Sequence, residues 1–206
     1  ILVKFKKKNL SGSSKRWIQR HRNDNLVLKA KDLGFRSRAV FKLEEIDKKI
    51  KFLKKTDRIL DLGAAPGSWS QFLIKKGFKN ILAVDILDMP IIPGVIFVLG
   101  DFTKERTQDE IRKKFHKINT IISDIAVNTT GNKNLDSFKT NSITLDVLSF
   151  AKKNLSSNSN VLCKFFNGDM DKDIIEYAKI NFSKSKIIKP KSSRQDSKEM
   201  YIYCCK

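Results

Sequence analysis

The stretch Arg58-Ile59-Leu60-Asp61-Leu62-Gly63-Ala64-Ala65-Pro66-Gly67-Ser68-Trp69-Ser70-Gln71 decides the fold. Its first residues, Arg58 to Gly63, read as a strand with Ile59, Leu60 and Leu62 as its apolar side chains. Gly63 and Gly67 then bracket a turn, and Ser68 to Lys76 reads as a helix that Gly77 ends. A strand, a glycine turn and a helix in this order open a doubly wound α/β sheet, with ligands at the carboxyl ends of its strands.

Working outward, further strands read at 80–86, 95–99, 118–125, 160–166, 185–188 and 200–204. Helices read between them at 103–115, 136–155 and 172–182. Upstream, a helix is expected from Asn23 to Leu33, stopped by Gly34. A second is capped by Ser37 and presents Val40, Leu43 and Ile46 on one face. The expected fold is α/β and Rossmann-like, a mostly parallel seven-stranded sheet with helices on both faces. Its last two strands are joined without a helix, so one strand at that edge is expected to be antiparallel.

The chain has 206 residues, of which 40% are hydrophobic, enough for one core and short for two. The expected division is a basic N-terminal arm over 1–22 and one domain over 23–206. No run approaches the ~20 apolar residues of a membrane helix, and no secretory signal reads at the start, which is Ile1. Three cysteines, Cys163, Cys204 and Cys205, and two histidines, His21 and His116, give no workable zinc spacing, so no metal is expected. Sparse cysteines suit a reducing compartment.

The net charge of +20 is unevenly spread. Residues 1–57 carry 18 Lys/Arg against 6 Asp/Glu, residues 58–182 carry 17 against 14, and residues 183–206 carry 7 against 2. Basic ends around a nearly neutral middle suit a polyanion that docks on both ends. The plainer reading is a solvated lysine-rich surface.

The turn carries its own chemistry. Asp61 is expected at its mouth, where it favours a ligand with a cationic amino-acid end over one with a pyrophosphate. Asp85, 18 residues past Gly67, can bond the two hydroxyls of a ribose. Gly100-Asp101-Phe102 offers another carboxylate and an aromatic face for adenine. The spacing Gly63-x-x-x-Gly67 lacks the Gly-x-Gly-x-x-Gly of a dinucleotide site, which leaves a nicotinamide oxidoreductase as the weaker alternative.

At these residues the chain resembles the FtsJ/RrmJ family of ribosomal-RNA 2′-O-methyltransferases, through Asp61 to Gln71. Further blocks follow the family's order: Ser13-Ser14-Lys15-Arg16-Trp17, Arg36 to Leu43, Ser123 to Asn128, Lys164-Phe165-Phe166, Ser192-Ser193-Arg194, and Ser197 to Tyr201. The resemblance implies the S-adenosylmethionine-dependent methyltransferase fold. It implies a catalytic tetrad of Lys42, Asp124, Lys164 and Glu199. It places cofactor contacts on Gly63, Trp69, Asp85 and Asp101, with Asp124 bordering both sites. Ala64, Pro66 and Gly67 complete the expected cofactor turn. Val127 stands where the family usually has proline.

The residues support the implied chemistry. A ribose hydroxyl is a poor nucleophile and needs proton removal or stabilisation of the developing alkoxide. Two lysines supply positive potential, and two carboxylates orient them. Lys164 interrupts the apolar run Val161 to Phe166, and lysine is seldom buried without a partner. A lysine with a lowered pKa is a second expectation, as the base. Arg16, Arg20, Arg36, Arg38 and Arg194 are expected on RNA phosphates. The implied substrate is a uridine ribose of large-subunit ribosomal RNA, in the assembled or assembling subunit, modified by a monomer in the cytoplasm or an organellar matrix. A tRNA ribose methyltransferase of the same family, or an RNA-binding factor without catalysis, are the other readings.

Overall fold

The computed structural model describes residues 24–127 and 133–206. The elements in chain order are α1 (Asn25–Asp32), α2 (Val40–Ile50), β1 (Arg58–Leu62), α3 (Ser68–Lys75), β2 (Asn80–Asp85) and β3 (Val95–Leu99). There follow α4 (Glu105–Lys114), β4 (Ile118–Ser123), α5 (Lys133–Asn154), β5 (Leu155–Phe166), α6 (Asp171–Asn181), β6 (Lys184–Ile188) and β7 (Glu199–Cys205). The expected basic arm over 1–22, with Arg16, Arg20, His21 and the Ser13–Trp17 block, lies outside the described residues.

The seven strands form one sheet in the order β3-β2-β1-β4-β5-β7-β6. All neighbours are parallel except β7, which runs against both β5 and β6. The mixed edge is therefore as expected, with the reversed strand one place in from the rim. The chain order reverses between β1 and β4, the kind of switch point at which such sheets bind ligands.

Alternation along the strands builds two cores. Leu60, Leu82, Ile121, Val161, Cys163 and Ile202 face α4, α5 and α6, where they meet Ile111, Leu148 and Ile174. Ile59, Ile81, Ile122, Leu162 and Tyr201 face the other way, onto Leu43, Ile46, Trp69 and Leu73 of α2 and α3. This second face matters for function, because Lys164 follows Leu162 by two residues and shares its side of the sheet.

Two boundaries differ from the sequence expectation. Strand β5 begins at Leu155, directly after α5, where Leu155 pairs with Ile118. The register then slips before Thr120 meets Asn160, and Asn158 takes a positive φ of 58°. The polar run Ser156-Ser157-Asn158 hides this bulged opening, which carries little apolar signal. At the start of α2, Ser37 Oγ accepts from the Ala39 N–H at 3.3 Å, so it caps the turn that leads into the helix rather than the helix itself. Among the described residues no helix is long and apolar enough to cross a membrane, and no three His, Cys, Asp or Glu gather as a metal site.

Candidate active site

Strand pairing brings the first members together. Lys164 of β5 lies opposite Tyr201 of β7, and Phe166 lies opposite Glu199. Paired residues point to the same face, as do residues two apart on a strand. Lys164, Tyr201 and Glu199 therefore share the face covered by α2, which presents Lys42. Asp124 is the first residue past β4, with its N–H on Leu62 O at 3.2 Å.

The four side chains of the expected tetrad gather as two ion pairs. Lys42 Nζ lies 2.7 Å from Glu199 Oε2. Lys164 Nζ lies 3.1 Å from Asp124 Oδ1 and donates to the Asp124 carbonyl at 2.6 Å. Tyr201 donates to Asp124 Oδ1 at 2.6 Å, and Ser193 donates to Glu199 Oε1 at 2.7 Å. Lys164 and Glu199 are 6% and 7% exposed, so these charges interact across protein more than across water. Burial works against the Lys42 ammonium, but Asp124 and Glu199 outweigh it and raise its pKa above the ordinary lysine value. Burial likewise opposes the Asp124 carboxylate. Lys164, Lys42 and the Tyr201 hydroxyl overcome it and hold its pKa below the usual range. The expectation of a lysine made neutral by a like charge is thus not met at Lys42.

Beside these pairs opens a cleft of about 310 Å³, lined by Ser37, Arg38, Ala39, Lys42, Arg194, Ser197 and Glu199. A second group of expected residues lies at the carboxyl ends of β2 and β3. Asp85, at the end of β2, accepts from the Ala65 N–H and the Leu87 N–H, each at 2.8 Å, one on each oxygen. Asp101 Oδ1 takes both the N–H and the hydroxyl of Thr103, at 2.9 and 2.7 Å. Those Thr103 bonds, against modest burial, keep the Asp101 pKa low. Asp85, Asp101 and Asp124 thus follow three strands of the sheet as a row of carboxylates. Such a row repels a pyrophosphate and suits a ligand with a cationic end and a ribose.

The glycine turn is built for close approach. Gly63 has a φ of 73°, and a Cβ there would meet the Ile125 backbone at 2.9 Å. Gly67 has a φ of 103°, and a Cβ there would lie 2.8 Å from an Arg36 nitrogen. Both positions demand glycine through neighbouring protein atoms. Gly63 N–H and Ala64 N–H donate to Val84 O, Gly67 N–H donates to Ala64 O, and the Ala65–Pro66 peptide is cis.

The FtsJ-like methyltransferase family matches residues 35–206. The chain belongs to that family. It is 37% identical over 195 residues to a ribosomal RNA large subunit methyltransferase E of Pelagibacter ubique, covering 93% of this chain and 95% of that one. It is 39% identical over 205 residues to the enzyme of the same name in Sinorhizobium medicae, covering 97% and 84%. A crystal structure of a ribosomal RNA methyltransferase from Plasmodium falciparum superposes with a TM-score of 0.74 at 34% identity, over 83% of this chain and 97% of that one.

Within this FtsJ-like chain, four expected roles need correction. Asp61 does not stand at the mouth of the turn. It is 1% exposed beneath it, and its Oδ2 accepts from the Ser70 hydroxyl at 2.7 Å. Trp69 turns inward: its Nε1 donates to Ala39 O at 2.8 Å and its ring leans on Tyr201 at 6.1 Å. It braces α2 and β7 rather than a cofactor ring. Phe102 packs edge-on against Phe150 at 5.3 Å and is 4% exposed, so it offers no face to adenine. Arg36 donates to Pro66 O and Pro90 O at 2.8 Å and to Ile91 O at 3.2 Å. Three carbonyls take three of its five N–H donors, and it clamps the glycine turn to the loop after β2.

Several residues that position the site were not singled out for a role from sequence. Tyr201 and Ser193 lay inside quoted motifs, and the two-residue spacing of Tyr201 from Glu199 was its signal. Asn141 of α5 is fully buried. It binds Phe166 N–H at 2.8 Å, Phe166 O at 2.9 Å and Asp169 O at 2.6 Å. Thr144 donates to Lys164 O at 2.7 Å. These two polar residues fix the end of β5 that carries Lys164. Val127, in the family's proline position, donates its N–H to Thr140 Oγ1 at 3.3 Å, a tether that proline lacks. His116 is exposed, in the bend between α4 and β4.

Proposed function

We propose that this FtsJ-like enzyme transfers a methyl group from S-adenosylmethionine to the 2′-hydroxyl of a uridine ribose in large-subunit ribosomal RNA. The observation that carries the reading is the convergence of Lys42, Asp124, Lys164 and Glu199 beside a cleft lined by Arg38 and Arg194 and next to the Asp61–Gly67 turn. The names of the relatives supply the substrate class and favour ribosomal RNA over tRNA.

The donor set fits the cofactor. Asp85 would bond its ribose hydroxyls, while the Gly63–Gly67 backbone and Asp101 would line the rest of it. When bound, S-adenosylmethionine supplies an electrophilic methyl group on a cationic sulfur. The side chains of this protein prepare the acceptor. Lys164 uses two donors on Asp124 and keeps one of its three N–H bonds for a ribose oxygen. Lys42 stays charged on Glu199 and adds positive potential where alkoxide character develops. Asp124 and Glu199 hold both ammonium groups in place, so little reorganisation is needed during transfer.

The acceptor is reached from the basic side. Arg38 and Arg194 line the cleft next to the ion pairs, and they are the arginines placed to hold phosphates of a splayed nucleotide. Arg16 and Arg20, outside the described residues, are further candidates for phosphate contacts. The enzyme works as a monomer on the assembled or assembling large subunit.

The test is methyl transfer from labelled cofactor onto large-subunit RNA, with mapping of the modified ribose. Lys164→Ala keeps cofactor binding and loses transfer by at least about a hundredfold, the range for removing one positioned charge in a water-poor site. Near-normal turnover in that variant overturns the assignment.

A further inference from the structure

A carboxylate sits on two of the arginines that line the cleft. Asp24 Oδ2 forms an ion pair with the Arg38 guanidinium and lies 3.4 Å from Arg194. Arg38 also donates to Ser192 O, on the loop that carries Arg194. The three side chains are partly covered, at 15% exposure for Arg38, 13% for Asp24 and 31% for Arg194. Both arginines line the cleft that Lys42 and Glu199 border. One anion on two guanidinium groups is how arginine pairs receive a phosphodiester.

Asp24 has a second task with its other oxygen. Oδ1 accepts from the Leu26 N–H at 3.0 Å and caps α1. An asparagine would keep that cap, because asparagine and aspartate cap about equally well. Cap and charge are therefore separable by a single substitution. Asp24 is also the first acidic residue of the chain, after 23 residues that hold 8 Lys/Arg. Among the described residues, the Asp24 carboxylate is held by the two cleft arginines and by the first turn of its own helix.

We propose that Asp24 is an internal stand-in for an RNA phosphate, held on Arg38 and Arg194 until substrate displaces it, and that it sets the selectivity of the cleft. The inference rests on the ribose-methyltransferase reading of the same site. A polyanion that offers only its backbone exchanges one anion for another at these arginines and gains little. An RNA that also seats its ribose on the Lys42 and Lys164 pairs has the additional contacts to complete the exchange. Selectivity then comes from making the wrong ligand compete, a familiar way to widen a difference of affinities.

The experiment compares wild type, Asp24→Asn, Arg194→Ala and the double variant. The readouts are binding of labelled large-subunit RNA fragments, binding of a homopolymer RNA of equal length, and methyl transfer. Asp24→Asn should bind the homopolymer about three- to tenfold more tightly at low salt, the effect of removing one nearby like charge. Its log-affinity against log-salt slope should steepen by about 0.7, as expected for one more phosphate contact on single-stranded RNA. The gain should vanish in the Arg194→Ala background. Unchanged or weaker homopolymer binding in Asp24→Asn, with unfolding temperature within about two degrees of wild type, overturns the proposal. A drop in unfolding temperature with no gain in binding also overturns it, as a purely structural ion pair behaves so. If wild type itself fails to methylate the ribosomal fragment, the functional reading fails instead, and the two failures are distinct.

Discussion

Tyr201 and Lys164 address the same oxygen: the phenol donates to Asp124 Oδ1 at 2.6 Å, and the ammonium lies 3.1 Å from it. The two residues are partners across β5 and β7, so the sheet register itself sets this geometry. Burial and the Asp124 and Glu199 carboxylates push the Tyr201 hydroxyl well above the usual tyrosine range, so it remains a donor at every working pH. Asp124 thus has two fixed donors on one oxygen, which keeps it ionised in a buried place.

Tyr201→Phe removes one of those donors and keeps the ring that Trp69 braces. A hydrogen bond to a charged group is worth about 1.5–3 kcal/mol, and one pKa unit is about 1.4 kcal/mol. The Asp124 carboxyl, now held low by Lys164, Lys42 and the Tyr201 hydroxyl, should titrate higher. Transfer requires the ionised form and is lost as pH falls through that pKa, so the acid limb of the rate profile should shift upward. An unmoved limb, with only a uniform fall in rate, would leave Tyr201 a packing residue.

Arg36 joins Pro66 on the cofactor turn to Pro90 and Ile91 on the loop after β2. Lysine is a point donor that cannot span three carbonyls. Arg36→Lys should weaken cofactor affinity about tenfold, or about 1.4 kcal/mol, while RNA affinity stays within about twofold. Calorimetric titration with the demethylated cofactor and anisotropy with labelled RNA separate the two. Loss of RNA affinity with intact cofactor binding would restore Arg36 to the phosphate-binding set.

Much of this could be read from the residues alone, and the failures have a common cause. The apolar runs located six of the seven strands within about two residues, because buried parallel strands need continuous apolar side chains. Strand β5 was the exception, since its opening at Leu155 is polar and bulged. The gathering of Lys42, Asp124, Lys164 and Glu199 was legible through the order of the motifs that carry them. Of the misplaced residues, Asp61, Trp69 and Arg36 lie in or against the glycine turn, and Phe102 lies just past β3. A motif gives their neighbourhood but not the side of the backbone on which each side chain falls. Asp61 and Leu62 are adjacent, yet strand alternation and the Ser70 hydroxyl decide that Asp61 is sealed under the turn. Arg36 lies 31 residues from Gly67 in sequence, and only the tertiary fold brings its guanidinium against it.

The sealing of Asp61 has a measurable cost. Burial pushes its carboxyl up to about 7; the Ser70 hydroxyl opposes this, and the Asp124 and Asp85 charges reinforce it. In the unfolded chain an aspartate titrates near ~3.9. The folded state therefore binds the Asp61 proton more tightly than the unfolded state. Its contribution to stability is fully present below about pH 4 and is lost as pH rises through about 7. Asp61→Asn keeps an acceptor for Ser70 and has nothing to ionise. Between about pH 5 and pH 8 the unfolding temperature of wild type should fall relative to that of Asp61→Asn, which should change little over that span. The neighbouring Asp85 and Asp124 charges favour the protonated form and so add to the effect of burial. Parallel melting curves for the two proteins across that range would mean that Asp61 holds one protonation state throughout, and that the Ser70 hydroxyl offsets its burial.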